Sequence, residues 1–144
     1  MGAWDVGPFD NDIAADFCGE LTEAPADERI LHVRRALTTV ADHGDGYLDS
    51  DFASEAIAAA AVVASQLPGG PAVTSPYAPA FLLAGGGLDI PADVPPLALR
   101  ALDRVTGDDS EWRSLWEESP ALHERALAEV RRIRAPLARA CTAG

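Results

Sequence analysis

Between Ala56 and Leu88 the chain has no charged residue, and this stretch opens with Ala56-Ile57-Ala58-Ala59-Ala60-Ala61-Val62-Val63-Ala64. Alanine is the strongest helix former, and nothing in the block breaks a helix. Pro68 ends the run well short of the roughly 18 apolar residues that a membrane span needs. A helix from about Asp51 to Leu67 is therefore expected, with Phe52, Ala56, Ile57, Ala60, Val63, Ala64 and Leu67 along it. Such a helix is apolar nearly all round, so it belongs at the centre of a bundle, where its alanines let neighbours approach closely. The expected fold is all-α, a compact bundle of about five to seven helices around this one.

The surrounding sequence supplies helices to cover it. Asp10 or Asn11 is placed to cap a first helix, and Asp12 adds a carboxylate at the positive end of its dipole. Ile13, Phe17 and Leu21 recur every four residues beside Ala14 and Cys18, which gives one buried stripe. Pro25 starts a second helix with Ile30, Val33, Leu37 and Val40 inward, and His43-Gly44-Asp45-Gly46 ends it. Residues 68–96 read as a Pro/Gly-rich connection, with a short helical turn at Ala80 to Ala84 stopped by Gly85-Gly86-Gly87. Leu97 to Thr106 reads as a helix stopped by Gly107, and Asp108 or Asp109 is expected to cap the next, which carries Trp112, Leu115 and Trp116. Ser119-Pro120 opens the last helix, with Leu122, Leu127, Val130, Ile133 and Leu137 along one side. Pro136 is expected to kink or end it, leaving residues 140–144 as a frayed tail. No alternating strand pattern stands out, and residues 1–144 read as a single domain.

Charge narrows the functional classes. The net charge is −12, all eleven basic residues are arginine, and the acids crowd the chain up to Glu55. A surface of that sign is repelled by nucleic-acid phosphates and by anionic lipid, so neither is an expected partner. The N-terminus lacks the basic and apolar regions of a secretory signal, which makes a cytoplasmic location the expectation. Cys18 and Cys141 form no framework or metal spacing, so a reducing compartment fits and no disulfide is required.

The opening Gly2-Ala3-Trp4-Asp5-Val6-Gly7-Pro8-Phe9-Asp10-Asn11-Asp12, continuing through Ala14, Asp16 and Phe17, resembles the start of the bacterial family called domain of unknown function 4259. Tyr47-Leu48-Asp49, leading into Ala53-Ser54-Glu55-Ala56, and Ser110-Glu111-Trp112-Arg113-Ser114-Leu115-Trp116-Glu117-Glu118 support the same resemblance. It implies a largely helical fold and carries no activity with it. Physically, the opening motif reads as a plug. Gly2 and Gly7 free the backbone, Pro8 fixes the turn, Phe9 packs back on the first helix and Trp4 folds over the same core.

Several patterns invite a chemical reading. Asp10, Asp12 and Asp16 have the spacing to offer oxygen ligands to a divalent cation such as Mg²⁺ or Ca²⁺, with Trp4 walling the pocket, although acids at a helix N-terminus need no metal to explain them. The acid-rich loop Asp42 to Asp51 fails as a calcium loop: aligning Gly46 with the turn glycine puts Ala41 and Phe52 where acidic ligands are required. Gly85-Gly86-Gly87 lacks phosphate-loop spacing, His32, His43 and His123 form no metal pair, and no serine sits in a nucleophile elbow. Trp112 and Trp116, at helical spacing, suit the core or a contact with a partner. Arg131, Arg132, Arg134 and Arg139 complement the end of the last helix, pair with Glu124 and Glu129, or dock on acids of this chain or a second copy.

The expected function is a non-catalytic protein-interaction module that binds a basic protein or itself, without a cofactor. The alternatives are a metal- or small-ligand-binding protein centred on the N-terminal Asp cluster, and a structural homo-oligomer using the Trp112/Trp116 face.

Overall fold

The computed structural model describes residues 7–72, 75 and 77–143. These form seven helices: α1 Asp12–Glu23, α2 Arg29–Ala41, α3 Ser50–Ser65, α4 Ala80–Leu83, α5 Val94–Thr106, α6 Glu111–Glu117 and α7 Pro120–Ala143. A 3-10 turn, Ala26–Glu28, leads into α2. Among the described residues there is no strand, only an isolated bridge between Leu48 and Ser110.

The Ala-rich helix α3 is the centre. It packs against α1, α2, α5, α6 and α7, and every residue from Ala56 to Ala64 is buried. Methyl side chains give such a helix no polar face, so contact with neighbours on all sides is the favourable arrangement. Two details depart from the expectation. The helix stops at Ser65 because the residue before Pro68 disfavours helical backbone and the chain tightens into a turn at Gln66 and Leu67. Phe52, expected inward, is 47% exposed: it precedes the charge-free run, on the first turn, where α3 still has an outward face.

α1 is capped as expected: the Asn11 Oδ1 accepts the Ala14 N–H at 2.9 Å. Its buried side is Ala14, Phe17, Cys18 and Leu21, with Ile13 at the margin. Arg29 closes its other end. The guanidinium donates to the carbonyls of Leu21 and Thr22, both at 3.0 Å, and lies 4.0 Å over the Phe81 ring of α4. One side chain thus satisfies open carbonyls at the end of α1 and joins two helices.

α5 begins three residues earlier than the sequence suggests, at Val94, and takes Pro95 and Pro96 into its first turn. N–H groups there have no partner within the helix, so prolines lose nothing by lacking them. The cap of α6 is Ser110, with Asp108 and Asp109 outside. Asp109 instead takes a left-handed turn, φ 56°, that brings Ser110 beside Leu48. α7 runs through Pro136 to Ala143, where the sequence suggests a stop and a frayed end. Pro136 is buried, and Ala126, Val130, Ile133 and Leu137 pack inward around it. Leu122 departs from the expected stripe and is 38% exposed.

Candidate functional site

The residues of α1 that face away from α3 are acidic. Asp12, Asp16, Glu20 and Glu23 recur at spacings of four, four and three, and all are exposed. The same periodicity that buries Ala14, Phe17, Cys18 and Leu21 places these four carboxylates along the opposite side. At 1.5 Å rise per residue the ridge is about 16 Å long. None of the four takes part in an ion pair among the described residues. Asp27 and Glu28, also exposed, continue the negative surface past the end of α1.

Glu55, the last charge on α3, borders this ridge. Burial raises its carboxyl above the ordinary 4.5, Glu20 raises it further, and Arg35 of α2 acts in the opposite direction. Phe52 precedes Glu55 by three residues on the outward side of the same helix. The acidic ridge therefore has an exposed aromatic ring on the helix that adjoins it.

The N-terminal motif does something different. Phe9 is buried, and the Asp10 N–H donates to the Gly7 carbonyl at 3.1 Å. The Asp10 carboxylate folds back over Gly7, where an added Cβ would stand 2.3 Å from its Oδ2. Space for that carboxylate is what the glycine supplies. Gly7, Pro8, Phe9 and Asp10 also line a cleft of about 320 Å³ between α3 and α7, shared with Ala61, Glu129, Arg132 and Ile133. Glu129 and Arg132 pair across one turn of α7 at 3.2 Å. Trp4, expected to wall this region, lies outside the described residues.

Asp10 thus lines the cleft, whereas Asp12 and Asp16 stand on the outward side of α1. The three do not converge, and no group of three or more His, Cys, Asp or Glu placed to hold a metal occurs among the described residues. Cys18 and Cys141 are free thiols, the first buried and the second exposed, and burial pushes Cys18 up to about 12. Among the described residues no buried side-chain nitrogen or oxygen lacks a partner. No helix among them is long and apolar enough to cross a membrane. Trp112 is buried and meets the half-buried Trp116 edge-on, with ring centroids 6.5 Å apart.

A second cluster of charge, which the sequence pattern did not single out, joins the loop after α2 to the start of α6. The Leu48 N–H donates to the Asp109 carbonyl at 2.8 Å, and the Glu111 N–H to the Leu48 carbonyl at 2.9 Å. Glu111 returns a carboxylate oxygen to the Ser50 N–H at 2.8 Å and so caps the central helix α3. That hydrogen bond holds the Glu111 carboxyl below its ordinary 4.5. Arg104 of α5 donates to the carbonyls of Gly44, Gly46, Asp108 and Asp109 and stitches the two loops together. Arg100 pairs with Asp42 at 2.6 Å and Arg113 with Asp108 at 3.1 Å. In the sequence, Arg100 and Arg104 stand one turn apart on α5, a spacing that by itself names no acceptor.

These features define an all-α domain whose motif segments serve different ends: Gly7 to Asp10 of the opening motif line a cleft, and the two later stretches meet at the Leu48–Ser110 bridge. The chain belongs to the family described as domain of unknown function (DUF4259), which matches residues 2–129. The match ends inside α7, before its arginine-rich half. Neither a curated protein nor a solved structure matches the chain.

Proposed function

We propose that this protein is a non-catalytic interaction module that receives a basic protein partner along the outward side of α1. The observation that carries this is the ridge of Asp12, Asp16, Glu20 and Glu23, exposed and without ion pairs among the described residues. Like charges one turn apart cost a helix about 0.2–0.5 kcal/mol per pair. Glu23 adds an unfavourable charge at the negative end of the dipole. Apart from Asp12, which favours the positive end of the dipole, these charges bring the fold no gain, whereas a partner bearing arginines or lysines would relieve them. Such a surface also steers a basic protein toward it and makes association sensitive to salt. Phe52 supplies the kind of exposed aromatic side chain that anchors interfaces.

The test is capture from the lysate of the protein's own cell, using tagged wild-type protein and a variant carrying Asp16→Arg and Glu20→Arg. The expected result is a defined basic polypeptide retained at low salt by the wild type, released by salt and absent with the variant. Capture of nothing specific, or of the same polypeptide by both, would contradict the proposal.

The cleft supports a second proposal, binding of a small polar molecule between Asp10 and Arg132 over the apolar floor of Phe9, Ala61 and Ile133. Its volume is at the lower end of the range for small-molecule sites. A panel of small cations and zwitterions should then contain a compound that raises the melting temperature of the wild type but not of Ile133→Trp. A panel that shifts neither protein counts against it.

A further inference from the structure

The cleft between the opening motif and α7 holds one carboxylate that the fold leaves unused. Asp10 is half-buried on its wall, and its carboxylate has no hydrogen-bond or ion-pair partner among the described residues. The turn keeps that carboxylate in place, because its Oδ2 takes the space that a Cβ on Gly7 would need. The other charges lining the cleft cancel, since Glu129 and Arg132 pair at 3.2 Å. Beside them Phe9, Ala61 and Ile133 form an apolar floor.

We propose that this cleft takes a small organic ammonium ion, a primary amine on an apolar body, with the ammonium against Asp10 and the body on Phe9, Ala61 and Ile133. This assignment rests on the cleft being a small-molecule site, as put forward above, and names the class of its ligand. Charge selects the sign. The lining carries two carboxylates and one guanidinium, so a monovalent cation neutralises it and an anion does not. An ammonium donates charge-assisted hydrogen bonds to a carboxylate, and they strengthen where apolar walls lower the dielectric. The floor selects an organic body over a bare metal ion. A divalent metal would keep most of its water shell here, with one free carboxylate to hold it, whereas apolar burial rewards only a ligand with apolar surface of its own. A zwitterion would have to compete with Glu129 for Arg132, whereas a simple ammonium leaves that pair intact.

Size limits the body. A cleft of about 320 Å³ suits one ring or a short alkyl chain. The net charge of −12 raises the concentration of cations near the surface and so favours their entry. The site is separate from the proposed partner surface, since Asp12 and Asp16 stand on the outward side of α1 and do not line the cleft.

Titration of the isotope-labelled full chain, followed through its amide NMR shifts, tests charge and body separately. The probes are benzylammonium, benzyl alcohol, benzoate, methylammonium and phenylalanine. Benzylammonium should shift the amides of Gly7, Phe9, Ala61 and Ile133 with a millimolar Kd, as expected of a ligand of about eight non-hydrogen atoms. The other probes should bind at least about tenfold more weakly, each lacking the charge or the body or adding a carboxylate. Asp10→Asn keeps the shape of the side chain and should weaken benzylammonium by about tenfold. Arg132→Ala should leave its binding unchanged or tighten it, the opposite of what a ligand held by the guanidinium would show. Unchanged circular dichroism is expected of both variants. Equal or tighter binding of benzyl alcohol, benzoate or phenylalanine at the cleft, or weaker benzylammonium binding by Arg132→Ala, overturns the ammonium assignment and leaves the cleft a small-molecule site. Binding of none of the probes there overturns both. Benzylammonium shifts confined to the acids of α1, or full binding by Asp10→Asn, place the cation elsewhere and overturn the assignment.

Discussion

Acidic side chains serve two opposite roles in this molecule. At the junction of the loop after α2 with α6, they have partners. Glu111 caps α3 through Ser50, Asp42 pairs with Arg100 and Asp108 with Arg113. Along α1, four acids of the same chemistry stand exposed without an ion pair among the described residues. The difference is one of supply, because three arginines reach the junction and none pairs with the ridge. Net charge alone therefore does not say where the unpaired acids lie; the placement of the arginines by the fold does.

Mutations should separate the two regions, beginning with the apolar residue that anchors the junction. Leu48 is fully buried, and Leu48→Ala should cost about 2–5 kcal/mol in denaturant unfolding, the usual range for such a truncation. A cost near zero would mean that the bridge to Ser110 does not hold the fold together. Arg104→Ala should come next, at about 1–2 kcal/mol, since several loop carbonyls lose a charged donor but can turn to water.

The pH dependence of stability should then have opposite signs at the two places. Glu111 has a lowered folded value, so its contribution is fully present above the ordinary 4.5 and is lost as pH falls through the folded value. The deficit of Glu111→Ala relative to wild type should accordingly shrink in acid. Glu55, beside the ridge, has a raised value, so its ionised form opposes folding above that value and the effect vanishes below 4.5. Glu55→Gln should thus be more stable than wild type at neutral pH and equal to it in acid. Unfolding free energies at pH 7 and pH 3 check both signs, and parallel behaviour of the two variants would remove the contrast.

Much of the architecture was legible because it follows from periodicity. The charge-free alanine run predicts a central helix, and Asn11, Ser119-Pro120 and the α1 stripe predict boundaries the structure contains. Proline is a weaker stop signal in this chain than its local chemistry implies. Pro95 and Pro96 sit inside a first turn and Pro136 within a helix, because tertiary packing decides whether a missing N–H matters. The hydrophobicity of Phe52 suggests an inward side chain but carries no information about which neighbours reach the first turn of α3. The site was less legible. Asp12 and Asp16 could be put on one face from spacing alone, but Asp10 separates from them by folding over Gly7, a backbone turn that spacing does not encode. The hold of Arg104 on two loops depends on contacts 58 and 60 residues apart and had no local signature.

The smallest expected effect on stability provides the most direct test. If the α1 acids are spare to the fold, replacing all four (Asp12→Asn, Asp16→Asn, Glu20→Gln and Glu23→Gln) should change the unfolding free energy by less than about 0.5 kcal/mol, because relief of like-charge repulsion offsets the lost dipole interaction of Asp12. The same variant should no longer capture the basic partner that the wild type retains at low salt. Measuring stability and capture together on this one protein decides the matter. Unchanged stability with lost capture is the predicted result; a destabilised fold, or capture as strong as wild type, would contradict it.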